Sequence, residues 1–199
     1  MAETPAGEPP VLVITGPSGV GKGTLIKGLL ERVDGLEVAV SATTRPQRPG
    51  EVDGRDYWFL SGDEFTQRVD AGEFLEWVDY VSGKRYGTLS SEIDRIARDG
   101  AICILELELE GALMVQRDVP GSITIFIAAD VDELERRLRE RATESTGEIG
   151  ERITLARRQL ERAHEFRYMV RNDELERATA ALAALVECEL DRAGTISRP

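Results

Sequence analysis

The sequence predicts an α/β domain whose core is a parallel β-sheet linked by crossover helices. Three observations predict it. The chain opens with a β-prone run, Val11–Ile14, a glycine-rich turn, a helix-period stretch over Thr24–Val33 and a second β-prone stretch, Leu36–Val40. Strand, helix and strand in that order close as a parallel pair with the helix crossing over. Short apolar runs return at 101–105, 121–128 and 168–170, among helical stretches. Of the 199 residues 41% are hydrophobic, enough to bury one core and outside the disordered range.

The first strand runs straight into a turn, VLVITGPSGVGKGT, in which Gly16, Gly21 and Lys22 match the phosphate-loop pattern G-x-x-x-x-G-K. Glycines there allow several backbone N–H groups to turn inward on a phosphate cluster. A helix starting near Lys22 presents its positive dipole end to the anion, and the lysine adds a mobile cation. Gly16, Pro17, Ser18, Gly19, Val20, Gly21, Lys22, Gly23 and Thr24 are therefore expected to hold donor phosphates. The pattern asks for a hydroxyl directly after the lysine, but that place is Gly23 and the hydroxyl comes at Thr24. Such a loop suits Mg²⁺ held mainly by phosphates and water. The competing reading is a glycine-rich turn with a solvated lysine; it leaves the ordered sequence of strand, loop, lysine and apolar helix without a cause.

A formal net charge of −12 argues against non-specific binding to nucleic acid or to anionic lipid. Arginines nevertheless cluster at Arg45 and Arg48 and again from Arg136 to Arg152, which suits small polyanions. No apolar run is long enough to cross a membrane. Residues 1–10 read as a flexible leader without the basic and apolar regions of a secretory signal, and 191–199 as a frayed tail. Cys103 and Cys188 stand far apart, so a disulfide framework is not expected and the cytoplasm is the expected compartment. Nothing in the sequence indicates an oligomeric state.

Taken in order, the block Ser41–Leu60 is too rich in Pro, Gly, Arg and hydroxyls to be core. It is either an exposed loop before a strand or a phosphate clamp. Arg45 and Arg48 supply guanidinium forks and the neighbouring Tyr57 a hydroxyl donor. Ser61–Gly72 reads as a helix with Ser61 and Glu64 at capping-box spacing. Phe74–Val81 alternates towards strand, with Trp77 as core, and Arg85 is expected to point to water. Thr88–Arg98 is expected to be helical, closed by Gly100. Ala101–Leu105 is an apolar strand ending in Glu106, Glu108 and Glu110; the first stands where P-loop enzymes place a metal-organising acid. After the strand 121–128, Asp130 or Asp132 is expected to cap a helix whose arginines pair with glutamates along a solvated face. The polar stretch 142–150 suits a mobile lid, and Glu151–Phe166 a long charged helix with His164 on its surface. After a last strand, Asn172–Asp173 is expected to cap a terminal helix packing through Leu175, Ala178, Ala181, Leu182 and Leu185.

The string S-x-T-T-R-x-x-R-x-G-E-x-x-G-x-x-Y, from Ser41 to Tyr57, resembles the acceptor region of guanylate kinases, which are P-loop nucleoside monophosphate kinases. The resemblance continues through FLEW at 74–77, YGT at 86–88, ILELELEGA at 104–112 and NDELERA at 172–178, so it spans about Val11 to Leu185. It implies a reaction ATP + GMP ⇌ ADP + GDP with Mg²⁺ organised by Glu106. It divides the domain 11–190 into a core (11–40, 90–138 and 153–190), a GMP-binding insertion (41–89) and a lid (139–152). By the same resemblance Arg45, Arg48, Tyr57 and Tyr86 hold the GMP phosphate, with Ser41 close by. Glu76, Thr88 and Glu108 read guanine, whose adjacent N1–H and N2–H a carboxylate can accept together. Arg141 and Arg152 close over the transferring group, joining Lys22 and Arg45 as the catalytic set, Arg137 lies near ATP, and adenine rests beside Asn172. The chain departs from the family in a longer turn at 80–85 with Arg85 in an aromatic residue's place, in the glutamates at 106 and 108, a neighbourhood where many relatives carry Asp, and in Glu110 where the family often has Gln. Two rivals share the fold. A non-catalytic interaction module generally lacks the loop lysine or lid arginines, all present here as Lys22, Arg141 and Arg152. A sister kinase acting on a sugar phosphate has no need of Glu76, Thr88 and Glu108.

Overall fold

A computed structural model of the chain describes residues 10–80, 83–140 and 146–194. The elements run β1 (Leu12–Thr15), α1 (Lys22–Leu30), β2 (Leu36–Val38), β3 (Ala42–Thr43), β4 (Trp58–Phe59), α2 (Gly62–Asp70), β5 (Phe74–Asp79) and β6 (Arg85–Leu89). They continue with α3 (Ser90–Arg98), β7 (Ile102–Glu106), α4 (Leu109–Asp118), β8 (Ile123–Ala128), α5 (Val131–Glu140), α6 (Thr146–Glu161), β9 (Tyr168–Arg171) and α7 (Leu175–Arg192).

The central sheet has the order β2-β7-β1-β8-β9, with every pairing parallel. β1 lies in the middle because all four of its residues are buried and both sheet faces are covered. Alternation sends Leu12 and Ile14 to one face, where they pack with Leu25 and Leu29 of α1 and Leu182 and Val186 of α7. It sends Val13 to the other face, with Leu105, Phe126, Ile96 and Val115 from β7, β8, α3 and α4. The chain leaves β1 and β7 at the same edge of the sheet, so the glycine turn and Glu106 emerge together. That edge is where an open parallel sheet presents its ligand site.

Strands β3 to β6 form a second, four-stranded sheet, β4-β3-β6-β5, in which only β3 and β4 run parallel. Its helix α2 starts in a capping box: Ser61 Oγ accepts from the Glu64 N–H at 3.1 Å, and Glu64 accepts from the Ser61 N–H at 2.8 Å. Phe65 on α2 is fully buried, stacked on Phe74 at 4.4 Å with Trp77 edge-on, so Trp77 packs into this aromatic cluster, half-buried rather than in the core.

Several sequence expectations are corrected. Arg85 does not extend into water; its guanidinium lies 4.6 Å over the Phe65 ring and donates to Thr66 Oγ1 and the Gly62 carbonyl. A flat cation stacks on an aromatic face while keeping its edge donors free. Thr88 belongs to strand β6, paired with Glu76, and α3 begins only at Ser90. The expected charged helix begins earlier, at Thr146, and ends at Glu161; His164 follows in a 3-10 turn and is exposed. Asn172 and Asp173 do not cap α7, whose N-cap is Glu174 with no side-chain bond. Asn172 turns inward to the Val20 carbonyl instead, and Asp173 pairs with Arg171. Leu175 and Ala181 are exposed, and α7 packs through Ala178, Thr179, Leu182, Ala183, Val186 and Leu190. Asp130 stands in the expected cap position, its carbonyl accepting from the Leu134 N–H at 2.9 Å, and its carboxylate also accepts from Arg171.

Candidate active site

The glycine turn follows a path with positive φ at Gly16, Gly19 and Gly21, which favours glycine at all three. Gly16 has φ +146° and a Cβ there would collide with the Ile127 carbonyl oxygen of β8. Gly21 has φ +95°, and its Cβ would lie 2.7 Å from Asn172 Nδ2. The turn folds back through the Val20 N–H to the Pro17 carbonyl at 3.2 Å, and α1 then starts at Lys22 without any side-chain cap. Its first N–H groups thus remain to meet an anion. Lys22 reaches across the turn, its Nζ donating to the Gly16 carbonyl at 2.7 Å.

The turn is braced from behind and crossed from the front. Asn172 Nδ2 donates to the Val20 carbonyl at 2.8 Å, and Arg137 donates to the same carbonyl and to that of Asn172, each at 3.2 Å. Val20's side chain is fully buried in the core, so this residue contributes its carbonyl to the brace. From α6, Arg152 donates to Ser18 Oγ at 2.7 Å.

In front of the turn lies a cleft of about 1150 Å³, lined by Pro17, Ser18, Gly19, Gly21, Lys22, Gly23 and Thr24 on one wall and by the second sheet on the other. Ser41, Arg45, Arg48, Tyr57, Glu76, Tyr86, Glu106, Glu108 and Arg152 all face it. Of the sequence-predicted set, Gly16, Val20, Thr88, Arg137 and Asn172 stand behind this lining, and Arg141 lies outside the described residues.

On the far wall Glu51 organises the arginines. It takes both terminal nitrogens of Arg45, at 2.8 and 2.9 Å, and the Arg48 N–H at 2.8 Å. The hydrogen bonds that Arg45 donates to Glu51 raise the Arg45 pKa and lower that of Glu51, so both stay ionised. The Arg45 guanidinium also stacks 5.1 Å from Tyr57, which meets Tyr86 edge-on at 6.2 Å. Sequence reasoning gave Glu51 no role, although its place three residues after Arg48 in the quoted string was the available signal.

At the end of the cleft Glu76 is only 3% exposed and Thr88 1%, and Glu76 Oε1 and Thr88 Oγ1 have no hydrogen-bond partner among the described residues. Burial pushes the Glu76 carboxyl up to about 7, with Thr88 acting in the opposite direction. Glu108 is the N-cap residue of α4, but its side chain makes no cap bond and faces the cleft. Glu106 stands at the tip of β7, solvent-accessible yet walled by the cleft; desolvation raises its pKa, Lys22 lowers it and Glu108 raises it further. Glu106 Oε2 lies 3.9 Å from where a Cβ of Gly23 would be, so the bare start of α1 leaves the carboxylate open to the cleft. No group of three or more His, Cys, Asp or Glu side chains among the described residues forms a metal cage. One carboxylate beside a phosphate loop fits Mg²⁺, which takes few protein ligands and keeps its remaining positions for phosphate and water.

A glycine turn with Lys22 on one wall and arginines with tyrosines on the other suit two phosphate groups in one cleft, and a transfer between such groups is the chemistry this arrangement allows. That defines a P-loop phosphoryl-transfer enzyme of the nucleoside monophosphate kinase class. The sequence model for guanylate kinase matches residues 8–189. The guanylate kinase of Synechococcus elongatus is 45% identical over 177 residues, covering 88% of this chain and 96% of its own. That of Rubrobacter xylanophilus is 46% identical over 169 residues, covering 84% and 88%. The crystal structure of guanylate kinase from Anaplasma phagocytophilum superposes with a TM-score of 0.74 at 25% identity, covering 95% of this chain and 88% of that one. The chain belongs to the guanylate kinase family.

Proposed function

We infer that the protein transfers the γ-phosphoryl group of ATP to GMP, giving ADP and GDP. The observation that carries this reading is Glu76, whose buried Oε1 has no partner among the described residues and whose side chain lines a cleft that begins at a phosphate loop, with Thr88 paired to it across the strands just behind the lining. Buried polar atoms without partners are rare and costly. Guanine offers adjacent N–H donors that a carboxylate accepts together, whereas adenine has no such pair, so this end of the cleft favours guanine.

In the mechanism this supports, the loop N–H groups from Gly19 to Thr24 and the Lys22 ammonium hold the donor β- and γ-phosphates, while Asn172 and Arg137 keep the loop's shape. Arg45, Arg48, Tyr57, Tyr86 and Ser41 hold the acceptor phosphate, whose oxygen attacks the γ-phosphorus in line with the departing ADP. Arg152, joined by Arg141, neutralises charge spread over the transferring oxygens. Glu106 and Thr24 would hold Mg²⁺ together with the phosphates, and the ion supplies further charge neutralisation there. The nucleophile is already an anion, so no general base is required, in keeping with the exposed His164. Among the described residues no helix is long and apolar enough to cross a membrane. Cys103 and Cys188 are free thiols, which suits a reducing compartment such as the cytoplasm.

A coupled assay with ATP and magnesium against GMP, dGMP, AMP and ribose 1,5-bisphosphate tests the reading. Turnover of GMP far above AMP and the sugar phosphate is expected. Preference for the sugar phosphate would move the protein to a sister kinase, and no turnover of any acceptor would make it an interaction module.

A further inference from the structure

Gly111 sits in the first turn of α4, where glycine weakens a helix relative to alanine. Its φ is not in the left-handed region, so the backbone does not call for glycine. What does is the side chain of Glu76. A Cβ on Gly111 would overlap Glu76 Oε2 and come within 3.2 Å of its Cδ and 3.7 Å of its Cγ. The carboxylate of β5 therefore lies against the bare backbone of α4, with one oxygen on Gly111 and the other partnerless. The N-cap of that same helix is Glu108, three residues earlier, whose side chain faces the cleft. The first turn of α4 thus carries one carboxylate and gives the second its seat.

We propose that Gly111 is a positioning residue for base recognition: the missing side chain sets where the Glu76 carboxylate stands relative to Glu108, and so which base the cleft accepts. The proposal rests on the GMP reading above. A methyl group at 111 meets the far end of a flexible side chain rather than backbone, so the fold tolerates it and the carboxylate yields. Because Glu76 is enclosed, it yields along the cleft, out of register with the base donors. Displacement of a recognition group by about 1 Å costs roughly ten- to a hundredfold in such sites.

The test is a double-mutant cycle with Gly111→Ala and Glu76→Ala, read by kinetics and by thermal unfolding. In the otherwise native protein Gly111→Ala is expected to raise KM for GMP roughly ten- to a hundredfold. KM for ATP and the melting temperature should stay near their native values, and the kcat/KM preference for GMP over IMP, which lacks the 2-amino group, should fall. In the Glu76→Ala background the same change should leave acceptor kinetics unaltered and raise the melting temperature, as alanine for glycine in a helix does. Native KM for GMP in Gly111→Ala would overturn the proposal, and so would equal losses for GMP and ATP or the same melting shift in both backgrounds. A native enzyme that ignores GMP would instead sink the functional reading, and the melting cycle would still decide the place of Gly111.

Discussion

Glu76 is the residue at which stability and function pull apart. Its burial at 3% exposure raises the folded-state pKa from 4.5 to about 7, so the carboxyl favours folding below pH 4.5 and loses that contribution as pH rises through 7. At about 1.4 kcal/mol per unit, charging it in the folded protein costs roughly 3 kcal/mol. On the proposed reading GMP needs the charged form, since only a carboxylate accepts both base donors. We therefore expect KM for GMP to climb by about tenfold per unit as pH falls below about 7, while KM for ATP follows a different profile. Glu76→Gln should melt higher than the native protein at pH 8, with a much smaller gap near pH 5, and should lose GMP turnover. A flat KM for GMP between pH 5.5 and 8 would show that Glu76 is ionised throughout or does not read the base. Glu51 offers the opposite case, a carboxylate kept ionised by Arg45 and used to aim it.

Among the elements, those written in a repeating or reciprocal pattern were legible in advance. The phosphate turn, the capping box of α2 and the apolar strands β7 and β8 stand where the spacing puts them. The capping box ties α2 to the hairpin through Phe65, so Ser61→Ala should lower stability by about 1 kcal/mol, measurable in denaturant, with kcat unchanged. A drop in kcat without a stability loss would mean that α2 does more than hold the sheet. Elements decided by a distant partner were not legible. Asn172 has a capping residue's chemistry, but the Val20 carbonyl lies within its reach and claims its amide. Arg85 reads as a surface cation until Phe65, twenty positions earlier, is seen beneath it. In α7 the periodic face was sound at Ala178, Leu182 and Leu185 but failed at Leu175 and Ala181, which are exposed, because spacing does not reveal where the core ends.

At the scale of the molecule, two sheets with different duties share one cleft, and a few side chains join them. Glu92, in the first turn of α3, accepts from the Val40 N–H at 3.0 Å, where the chain leaves the parallel sheet for the second one. Burial alone would raise its pKa; bonds from Arg95 and Val40 outweigh that and hold it low. Arg95 in turn pairs with Glu37 of β2 at 2.7 Å, so the departure and return of the chain are fastened together. Arg152 makes the other link, from α6 to Ser18 of the phosphate turn. The parallel core was legible because its runs are apolar on both faces, whereas Glu51, Gly111 and Glu92 act through neighbours that only the folded chain supplies. The central claim is that one cleft holds two nucleotides with their phosphates facing each other. Its most direct measurement is calorimetric titration with a single molecule that joins adenosine and guanosine 5′ to 5′ through a chain of phosphates, alongside inhibition kinetics. The account predicts one molecule bound per chain and competition with both ATP and GMP. Competition with ATP alone, at any stoichiometry, would contradict it.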